Sequence, residues 1–366
     1  MRIQAINDLR RHTEPLRAKI LAALSTVVDN GWFVLGPQVA AFEQEYATYL
    51  GTRDCVGLAN GTDALEIALR ALNVGRGNKV ATVANAGMYG TTAILLLGAE
   101  PVFIDIDPHS MLMDPEQLRR ELGTTPAVAA VIVTHLYGRV ECVEELVEIA
   151  HSHGVPVIED CAQAHGARVR GRAAGTFGDI GCFSFYPTKN LGALGDGGAA
   201  ITSNDELAGS MRQLRQYGWS EKYQASMAGG RNSRLDEVQA AVLRIKLPLL
   251  NEWNSRRRFI AARYSTEIRH SRIACPPVMG ENYVAHLYVL RTQDRDGLRA
   301  HLNRSGVASD IHYPVPDFKQ PAIVARFGAV DNPDAEAVCG EVLSLPCFPE
   351  MTDDEIGFVI SSINEW

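Results

Sequence analysis

The feature of this sequence that most constrains its fold is a regular alternation of apolar runs and helical segments between residue 60 and about residue 202. Short apolar runs predict buried strands at 79–83, 101–105, 129–134 and 155–159. Helical spacing of apolar residues predicts helices at 62–72, 91–97 and 140–153. Strands and helices that alternate in this way build a mainly parallel sheet covered by helices, so the sequence predicts an α/β fold.

Helical periodicity continues on both sides of this region. Helices are predicted at 16–28, 39–50, 205–216, 234–250, 255–269 and 295–305, with a strand at 283–291. The last helix has a capping box made by Thr352 and Glu355. Because 366 residues exceed one ordinary core, we expect an N-terminal arm and large domain at 1–250 and a smaller α+β domain at 251–366.

A lysine stands in a glycine-rich stretch at 181–200, GCFSFYPTKNLGALGDGGAA. The stretch begins as a short apolar run, breaks at Pro187 and then presents Lys189 in a turn. The density of glycine permits close approach of another group. Two interpretations of Lys189 stay open from these residues: a solvated surface charge, or a partly desolvated amine of lowered pKa that attacks a carbonyl to form a Schiff base.

A carboxylate ends the buried strand predicted for VPVIED at 155–160. Asp160 is either an ordinary turn or strand-end aspartate, or the carboxylate that a pyridoxal phosphate enzyme needs beside its pyridine nitrogen. Such a carboxylate keeps the nitrogen protonated, so that the ring accepts carbanion electrons. Lys189 and Asp160 are therefore the candidate catalytic residues.

Four strings carry a family resemblance: ANGTDAL at 59–65, EDCAQAHGA at 159–167, FSFYPTKNLGALGDGGA at 183–199 and NSRLDEVQAA at 232–241. In this order they resemble the nucleotide-sugar aminotransferases of the DegT/DnrJ/EryC1/StrS family, and the resemblance covers nearly the whole chain. It implies the aspartate aminotransferase fold, fold type I, with a mainly parallel mixed sheet. It also implies pyridoxal 5'-phosphate as cofactor, joined to Lys189.

The resemblance implies which residues bind the cofactor phosphate. These are Gly61, Thr62 and Ser184, with Asn232 reaching in from a second subunit, which implies a homodimer with composite active sites. Gly61 and Thr62 also open a predicted helix, whose free amides and positive end bind anions. A plain N-cap explains Thr62 equally well.

The resemblance identifies fewer of the residues that contact the cofactor ring. Gln163 matches the residue that forms a hydrogen bond with the ring hydroxyl. The alternative is that Gln163 is simply a polar residue at the start of a helix. The family usually has an aromatic residue that stacks on the ring at the position of Gly87, but here the local sequence is ANAGMYGTT. We expect Tyr89 to cover that face instead, with Met88 as the alternative.

The string IHYPVP at 311–316 resembles the family's substrate-side loop. His312 and Tyr313 are therefore candidates for contact with the sugar nucleotide or the amino donor. The alternative is a loop histidine beside a packed tyrosine. Seven scattered cysteines without C-x-x-C spacing predict neither a disulfide framework nor a metal site.

The expected reaction moves an amino group from L-glutamate to a dTDP- or UDP-linked keto-hexose, for surface polysaccharides or glycosylated natural products. The string YPTKNLGALGDGG at 186–198 resembles family members that aminate C3. Family members that aminate C4 more often have a histidine after SF and GEGG in the loop. We expect C3 amination, with C4 amination of a nucleotide-4-keto-6-deoxy sugar as the alternative.

Other classes are less consistent with the sequence. Dehydratases of the family replace the lysine by histidine, and a noncatalytic regulator or scaffold would have lost Lys189 or Asp160. The net charge of −8, without a basic cluster, argues against nucleic acid as a partner. The N-terminal residues lack the apolar core of a signal peptide and the sequence has no apolar run of about 18 residues, so we expect a cytoplasmic protein without a membrane segment.

Overall fold

The computed structural model describes residues 2–125, 127–328 and 330–366. Its strands are β1 (Asp54–Leu58), β2 (Lys79–Val83), β3 (Glu100–Ile104), β4 (Val128–Thr134), β5 (Val157–Asp160), β6 (Arg168–Val169), β7 (Arg172–Ala173), β8 (Ile180–Ser184), β9 (Gly198–Thr202), β10 (Trp219–Glu221), β11 (Gln224–Ala225), β12 (Tyr288–Arg291) and β13 (Val342–Leu345).

The helices of the described residues are α1 (Leu9–Thr13), α2 (Arg17–Asn30), α3 (Pro37–Leu50), α4 (Gly61–Ala71), α5 (Tyr89–Leu96), α6 (Pro115–Thr124), α7 (Val143–Ser152), α8 (Asp205–Leu214), α9 (Glu237–Lys246), α10 (Leu250–Glu267), α11 (Arg295–Ser305), α12 (Pro321–Phe327), α13 (Pro333–Glu341) and α14 (Asp353–Asn364). None of them is both long enough and apolar enough to cross a bilayer.

Seven strands form the central sheet, in the order β1-β9-β8-β5-β4-β2-β3. The pairs from β3 to β8 are all parallel, whereas β9 is antiparallel to both of its neighbours. The predicted α/β fold with a mainly parallel sheet is thus confirmed. Thr134 pairs with Asp160, and Asp160 with Cys182, so the carboxyl ends of β4, β5 and β8 lie side by side. Open α/β sheets bind ligands at this edge.

Apolar clusters hold helices against both faces of the sheet. On one face, Leu65 of α4 and Ile94 of α5 pack with sheet residues such as Ile158. On the other face, Phe42 of α3 packs with Phe183 of β8. Because the strands are buried on both faces, they read as continuous apolar runs, which is the pattern that identified them in the sequence.

A separate apolar cluster forms in the C-terminal part of the chain. It joins α10, α11 and α14 to the small antiparallel pair of β12 and β13. Ile3 also belongs to this cluster, because its backbone pairs with Val307. The N-terminal segment is therefore tied to the C-terminal part, while the division of the chain at residue 250 stays a prediction.

Two predicted elements differ from the structure, and a third predicted feature agrees with it. The strand expected at 283–291 is limited to β12, because Ala285 has a φ of +44° and interrupts the extended backbone. Pro248 lies in a short 3-10 turn between α9 and α10, so the helix expected at 255 begins at 250. The capping box of Thr352 and Glu355 is present as predicted.

Candidate active site

A cleft of about 980 Å³ opens at the carboxyl ends of β4, β5 and β8. The amino end of α4 borders it on one side, and the loop at 310–313 on another. Its volume is typical of sites for small molecules, which run from about 300 to 1,000 Å³. Nine residues that the sequence singled out line this cleft, namely Gly61, Thr62, Tyr89, Asp160, Gln163, Ser184, Lys189, His312 and Tyr313.

Lys189 enters the cleft from the turn that follows β8. Its amide donates a hydrogen bond of 2.8 Å to the carbonyl of Tyr186, which closes a turn around Pro187. The Lys189 side chain is half-buried in the cleft. Burial lowers the pKa of Lys189 to about 8, against the opposing charge of Asp160. The amine is therefore neutral more often at physiological pH than that of an exposed lysine.

Asp160 is the last residue of β5, and only 6% of its surface is exposed. Its Oδ1 accepts a hydrogen bond of 3.1 Å from the amide of Ala162. Burial raises the pKa of Asp160, an effect that the Ala162 amide and the Lys189 amine partly offset. A cation bound beside this carboxylate would favour its ionised form.

The amino end of α4 and the end of β8 form a cradle for an anion. The amides of Gly61 and Thr62 make no hydrogen bond within the described chain, since the Asn60 side chain caps the amide of Asp63 instead. A Cβ at Gly61 would lie 2.6 Å from the Cβ of Ser184, so only glycine permits this approach. The Ser184 Oγ accepts the Tyr186 amide at 3.4 Å, which leaves its proton available to a ligand.

Gln163 connects two distant parts of the chain. Its Oε1 accepts a hydrogen bond of 2.5 Å from the Tyr137 amide, and its Nε2 donates one of 3.2 Å to the Tyr313 hydroxyl. Both ends of the side-chain amide are therefore fixed. Gln163 and Tyr313, which the sequence placed on separate segments, touch each other in the cleft.

Tyr313 also gives a physical reason for the glycine at position 87. Gly87 has a φ of +76°, and a Cβ there would lie 2.9 Å from the Tyr313 ring. An aromatic side chain at position 87 would therefore compete with Tyr313 for the same space. Tyr89 lines the cleft and meets the Tyr313 ring edge to face at 6.1 Å between centroids. Met88 packs against an apolar cluster instead.

His312 is held at the edge of the cleft by the C-terminal part of the chain. Its Nδ1 lies 2.8 Å from the Ser344 hydroxyl, and its Nε2 lies 3.8 Å from an oxygen of Asp310. Burial lowers the pKa of His312, and the charge of Lys189 acts in the same direction, while Asp310 opposes them. The imidazole is therefore mostly neutral, and His312 lines the cleft.

Asn232 is the predicted site residue that this chain does not bring to its own cleft. It is exposed and forms an isolated bridge with Gln216. The neighbouring Arg231 forms ion pairs with Asp63 and Glu66 of α4. The preceding stretch, 217–231, contains the β10–β11 hairpin and does not line the cleft.

The sequence analysis missed several further cleft residues, among them Asn7, His135 and His286. Asn7 and His286 reach the cleft through contacts between distant segments, which leave no local pattern. The Asn7 amide, for example, donates a hydrogen bond of 3.0 Å to the Thr188 carbonyl. His135 could have been identified from the sequence, because it directly follows the predicted strand at 129–134 and so lies at the same sheet edge as Asp160.

His135 also belongs to a buried group with Glu159 and Cys161, whose ligand-type atoms lie within 4.8 Å of one another. The His135 Nε2 is 2.8 Å from the Glu159 carboxylate. Both Glu159 oxygens also accept hydrogen bonds from backbone amides at 175–178. These bonds satisfy both side-chain oxygens of the buried Glu159 without a metal ion.

Comparison with known proteins agrees with this geometry. The sequence profile of the DegT/DnrJ/EryC1/StrS aminotransferase family matches residues 15–364. The chain is 41% identical over 362 residues to a dTDP-3-amino-3,4,6-trideoxy-alpha-D-glucose transaminase of Streptomyces venezuelae, covering 98% of this chain and 95% of that protein. It is 40% identical over 357 residues to a UDP-N-acetyl-3-dehydro-alpha-D-glucosamine 3-aminotransferase of Acidithiobacillus ferrooxidans, covering 97% and 96%.

Solved structures show the same relationship. The crystal structure of S. venezuelae DesV in complex with a ketimine intermediate has a TM-score of 0.96 at 40% identity and covers 100% of this chain and 99% of that one. NtdA from Bacillus subtilis with bound cofactor PMP has a TM-score of 0.93 at 30% identity, covering 100% and 86%. The predicted type I fold and aminotransferase class are confirmed, and the chain belongs to the DegT/DnrJ/EryC1/StrS aminotransferase family.

Proposed function

We propose that this chain is a pyridoxal phosphate-dependent aminotransferase that moves an amino group from L-glutamate to C3 of a nucleotide-linked keto-hexose. The observation that carries the proposal is the convergence of Lys189 and Asp160 in one cleft, at the ends of neighbouring strands. A primary amine of lowered pKa and a buried carboxylate are the two groups that this chemistry requires.

The anion cradle fits the phosphate of this cofactor. The free amides of Gly61 and Thr62 stand at the positive end of α4, where a phosphate is stabilised by both the helix dipole and direct hydrogen bonds. The hydroxyl of Ser184 would donate a third bond. The close packing of Gly61 against Ser184 supports this assignment, because it brings donors from two elements to one side of the cleft.

The rest of the cleft fits the cofactor ring. Asp160 would face the pyridine nitrogen and hold a proton there, Gln163 would bond the ring hydroxyl, and Tyr89 would cover one face. When bound, the cofactor supplies an electron sink that stabilises negative charge on the carbon next to the transferred nitrogen. Lys189 would hold the cofactor between reactions, and its free Nζ would take the proton from Cα of the amino donor.

The proposed position of amination on the sugar rests on the names of the relatives and on the residues at the opening of the cleft. Both relatives described above are named for an amino group at C3 of a nucleotide sugar, one carried by dTDP and one by UDP. His312 and Tyr313 would contact the sugar nucleotide or the amino donor. We keep C4 amination of a nucleotide-4-keto-6-deoxy sugar as the second candidate, to be separated by product analysis.

We also propose that the enzyme works as a homodimer. Asn232 is exposed and lies outside this chain's own cleft, so it would contact a cofactor phosphate only across a subunit interface. Exposed Trp32, Phe33 and Tyr223 support an apolar interface. A noncatalytic role as regulator or scaffold is less well supported, because the chain retains Lys189 and Asp160 in one cleft.

The first experiment asks which lysine holds the cofactor. The purified protein is incubated with pyridoxal phosphate, reduced with borohydride and digested for mass spectrometry. Lys246 is an internal control, because burial lowers its pKa to about 8 as well, yet its Nζ donates to the Gly192 carbonyl and it lies outside the cleft. We expect the label on Lys189 alone. Label on Lys246, or none on Lys189, would contradict the proposal.

The second experiment follows the reaction itself. Adding L-glutamate to the protein with its cofactor should convert the absorbance band of the pyridoxal form into that of the pyridoxamine form. The pyridoxamine form is then offered nucleotide-linked 3-keto and 4-keto sugars, and the product is identified by NMR. An amine at C3 supports the proposal, an amine at C4 supports the second candidate, and no spectral change with glutamate contradicts the donor.

A further inference from the structure

Asp317 joins the C-terminal part of the chain to the amino end of α5. Only 1% of its surface is exposed. Its Oδ1 accepts a hydrogen bond of 2.9 Å from the Met88 amide, and its Oδ2 accepts one of 2.6 Å from the Thr91 hydroxyl. Its own amide donates a hydrogen bond of 2.7 Å to the carbonyl of Ala84. The side chain and the backbone of one residue therefore hold the same distant segment, 84–91.

The carboxylate of Asp317 takes the place of an N-cap side chain for α5. Met88 stands at the N-cap position, and its side chain makes no capping hydrogen bond. Burial raises the pKa of Asp317 to about 6, while the hydrogen bonds from Thr91 and Met88 oppose the rise. At neutral pH the carboxylate is therefore mostly ionised. In this form both oxygens accept hydrogen bonds, and the negative charge lies at the positive end of the helix.

The placement of Tyr89, the first residue of α5, depends on this anchor. Because 51% of its surface is exposed, core packing does not fix the Tyr89 ring. The ring is placed instead by the point at which the helix begins and by its edge-to-face contact with Tyr313, at 6.1 Å between centroids. Asp317 holds the helix at Met88, directly before Tyr89, and at Thr91 in the same turn.

Tyr313 is tied to the same anchor through a stiff connection. Two of the three residues between Tyr313 and Asp317 are prolines, Pro314 and Pro316, whose rings fix φ. Little backbone freedom therefore remains to absorb a movement of residue 317. The Tyr313 ring also lies against Gly87, where a Cβ would come within 2.9 Å of it. Asp317 thus connects the two segments whose tyrosines meet in the cleft.

We propose that Asp317 is a positioning residue that holds Tyr89 and Tyr313 together as an aromatic wall of the cleft, at the place where Gly87 leaves room for a ring. Without the carboxylate, the amino end of α5 and the loop at 310–313 lose their common fixed point, and the two rings move relative to each other. The inference rests on the proposed function in one respect, since Tyr89 would cover the cofactor ring.

The first measurement follows the two rings in the protein without cofactor. The protein is labelled with 3-fluorotyrosine, and the fluorine resonances of Tyr89 and Tyr313 are assigned by replacing each residue with Phe. We expect Asp317→Leu to shift both resonances. Asp317→Asn keeps an acceptor for the Met88 amide and a partner for the Thr91 hydroxyl, so it should shift them less. Thr91→Val removes one of the two bonds and should act in the same direction as Asp317→Leu, with Thr91→Ser as its matched variant. Unmoved resonances in folded Asp317→Leu and Thr91→Val would overturn the inference.

Asp105 provides a matched control, because it is another buried carboxylate that caps a helix from a distant segment. Its Oδ1 accepts a hydrogen bond of 2.9 Å from the Ala335 amide, and its Oδ2 accepts one of 3.1 Å from the Asp334 amide, at the amino end of α13. Asp105 does not line the cleft. Asp105→Leu should therefore lower the melting temperature without shifting the resonances of the two cleft tyrosines. Equal shifts in Asp105→Leu and Asp317→Leu would overturn the inference, since general loosening of the fold would then be the cause.

The second measurement is the affinity for pyridoxal phosphate, and it separates positioning from general destabilisation. Asp317→Leu should weaken binding by about three- to tenfold, because one face of the cofactor ring loses an aromatic contact. In a Tyr89→Ala background this contact is already absent, so Asp317→Leu should weaken binding no further. A full additional loss in that background would overturn the inference. A wild-type protein that binds no pyridoxal phosphate would contradict the proposed function instead, and the resonances measured without cofactor still decide the role of Asp317.

Discussion

At the scale of single residues, Lys189 and Lys246 separate the effect of burial from the effect of position. Burial lowers the pKa of both lysines to about 8. Lys246 is held by the Gly192 carbonyl at 2.7 Å, whereas Lys189 lines an open cleft opposite Asp160. A lowered pKa alone therefore does not identify a reactive lysine; access to a ligand must accompany it.

The first prediction concerns this pair. Lys189→Ala should lower the rate of amino transfer by about three orders of magnitude or more, because it removes both the attachment of the cofactor and the base. Lys246→Met is the control and should keep the spectral response to L-glutamate in the folded fraction. Turnover and absorbance are measured on the same samples. Comparable activity in Lys189→Ala and the wild-type protein would exclude the proposed mechanism.

The second prediction uses the buried carboxylate. The pKa of Asp160 is raised by burial in the folded chain, so ionising this group disfavours folding. The stability that the protonated Asp160 contributes is complete below the pKa of the unfolded state, near 3.8. It is lost as the pH rises through the raised pKa of the folded state. Asp160→Asn removes this charge, and without cofactor it should raise the melting temperature at pH 8 by roughly 2–4 °C.

The same variant should lose activity while it gains stability. Without the carboxylate the proton on the cofactor ring is not held, so kcat/KM should fall by about two orders of magnitude or more. The gain in melting temperature should shrink as the pH falls through the raised pKa of Asp160, because the wild-type carboxyl group then takes up a proton and loses its charge as well. A variant that is less stable at pH 8, or equally active, would show that Asp160 has another role.

At the scale of elements, the amino end of α4 depends on a glycine. Gly61→Ala would place a Cβ 2.6 Å from that of Ser184, so the helix end must move away from β8. We expect the affinity for pyridoxal phosphate to fall by about tenfold or more, measured by titration of the cofactor-free protein. Gly209→Ala in α8 is the control, because no atom lies within 4 Å of the added Cβ. It should keep the affinity and stabilise the helix by up to about 1 kcal/mol.

The turn at Gly87 supplies a second prediction about an element. Gly87→Ala should destabilise the protein by strain at positive φ, about 1 kcal/mol, and also by contact with the Tyr313 ring. Gly77→Ala isolates the strain, since Gly77 has a φ of +88° with open space around its Cβ. In a Tyr313→Ala background, Gly87→Ala should cost no more than Gly77→Ala. Melting curves of the four variants measure this coupling.

The strands and helices could be predicted where their burial is local and regular. β2, β4 and β5 are apolar runs buried on both faces. The Thr352 capping box depends on only four consecutive residues. The strand expected at 283–291 begins only at residue 288, and this late start could not be predicted. The left-handed conformation of Ala285 accompanies contacts with a distant segment around Gly138. His286 entered the cleft through the same contacts.

At the scale of the whole molecule, the cleft of one chain does not include every site residue that the sequence predicted. The cleft of a single chain holds Lys189 and Asp160, but Asn232 is exposed outside it. Exposed Trp32, Phe33 and Tyr223 are available for an interface. If the partner's Asn232 completes each site, then catalytic defects in two different chains can compensate for each other.

The last prediction tests this arrangement by mixing two inactive variants. Lys189→Ala lacks the lysine of its own cleft, and Asn232→Leu lacks the amide that it would offer to the other subunit. In a mixed dimer, the site with an intact lysine receives an intact asparagine, and the remaining site carries both defects. Random reassociation makes about half of the dimers mixed, so activity should recover to about a quarter of the wild-type value. If Asn232 served its own chain, the mixture would show only the mean activity of the two parent variants.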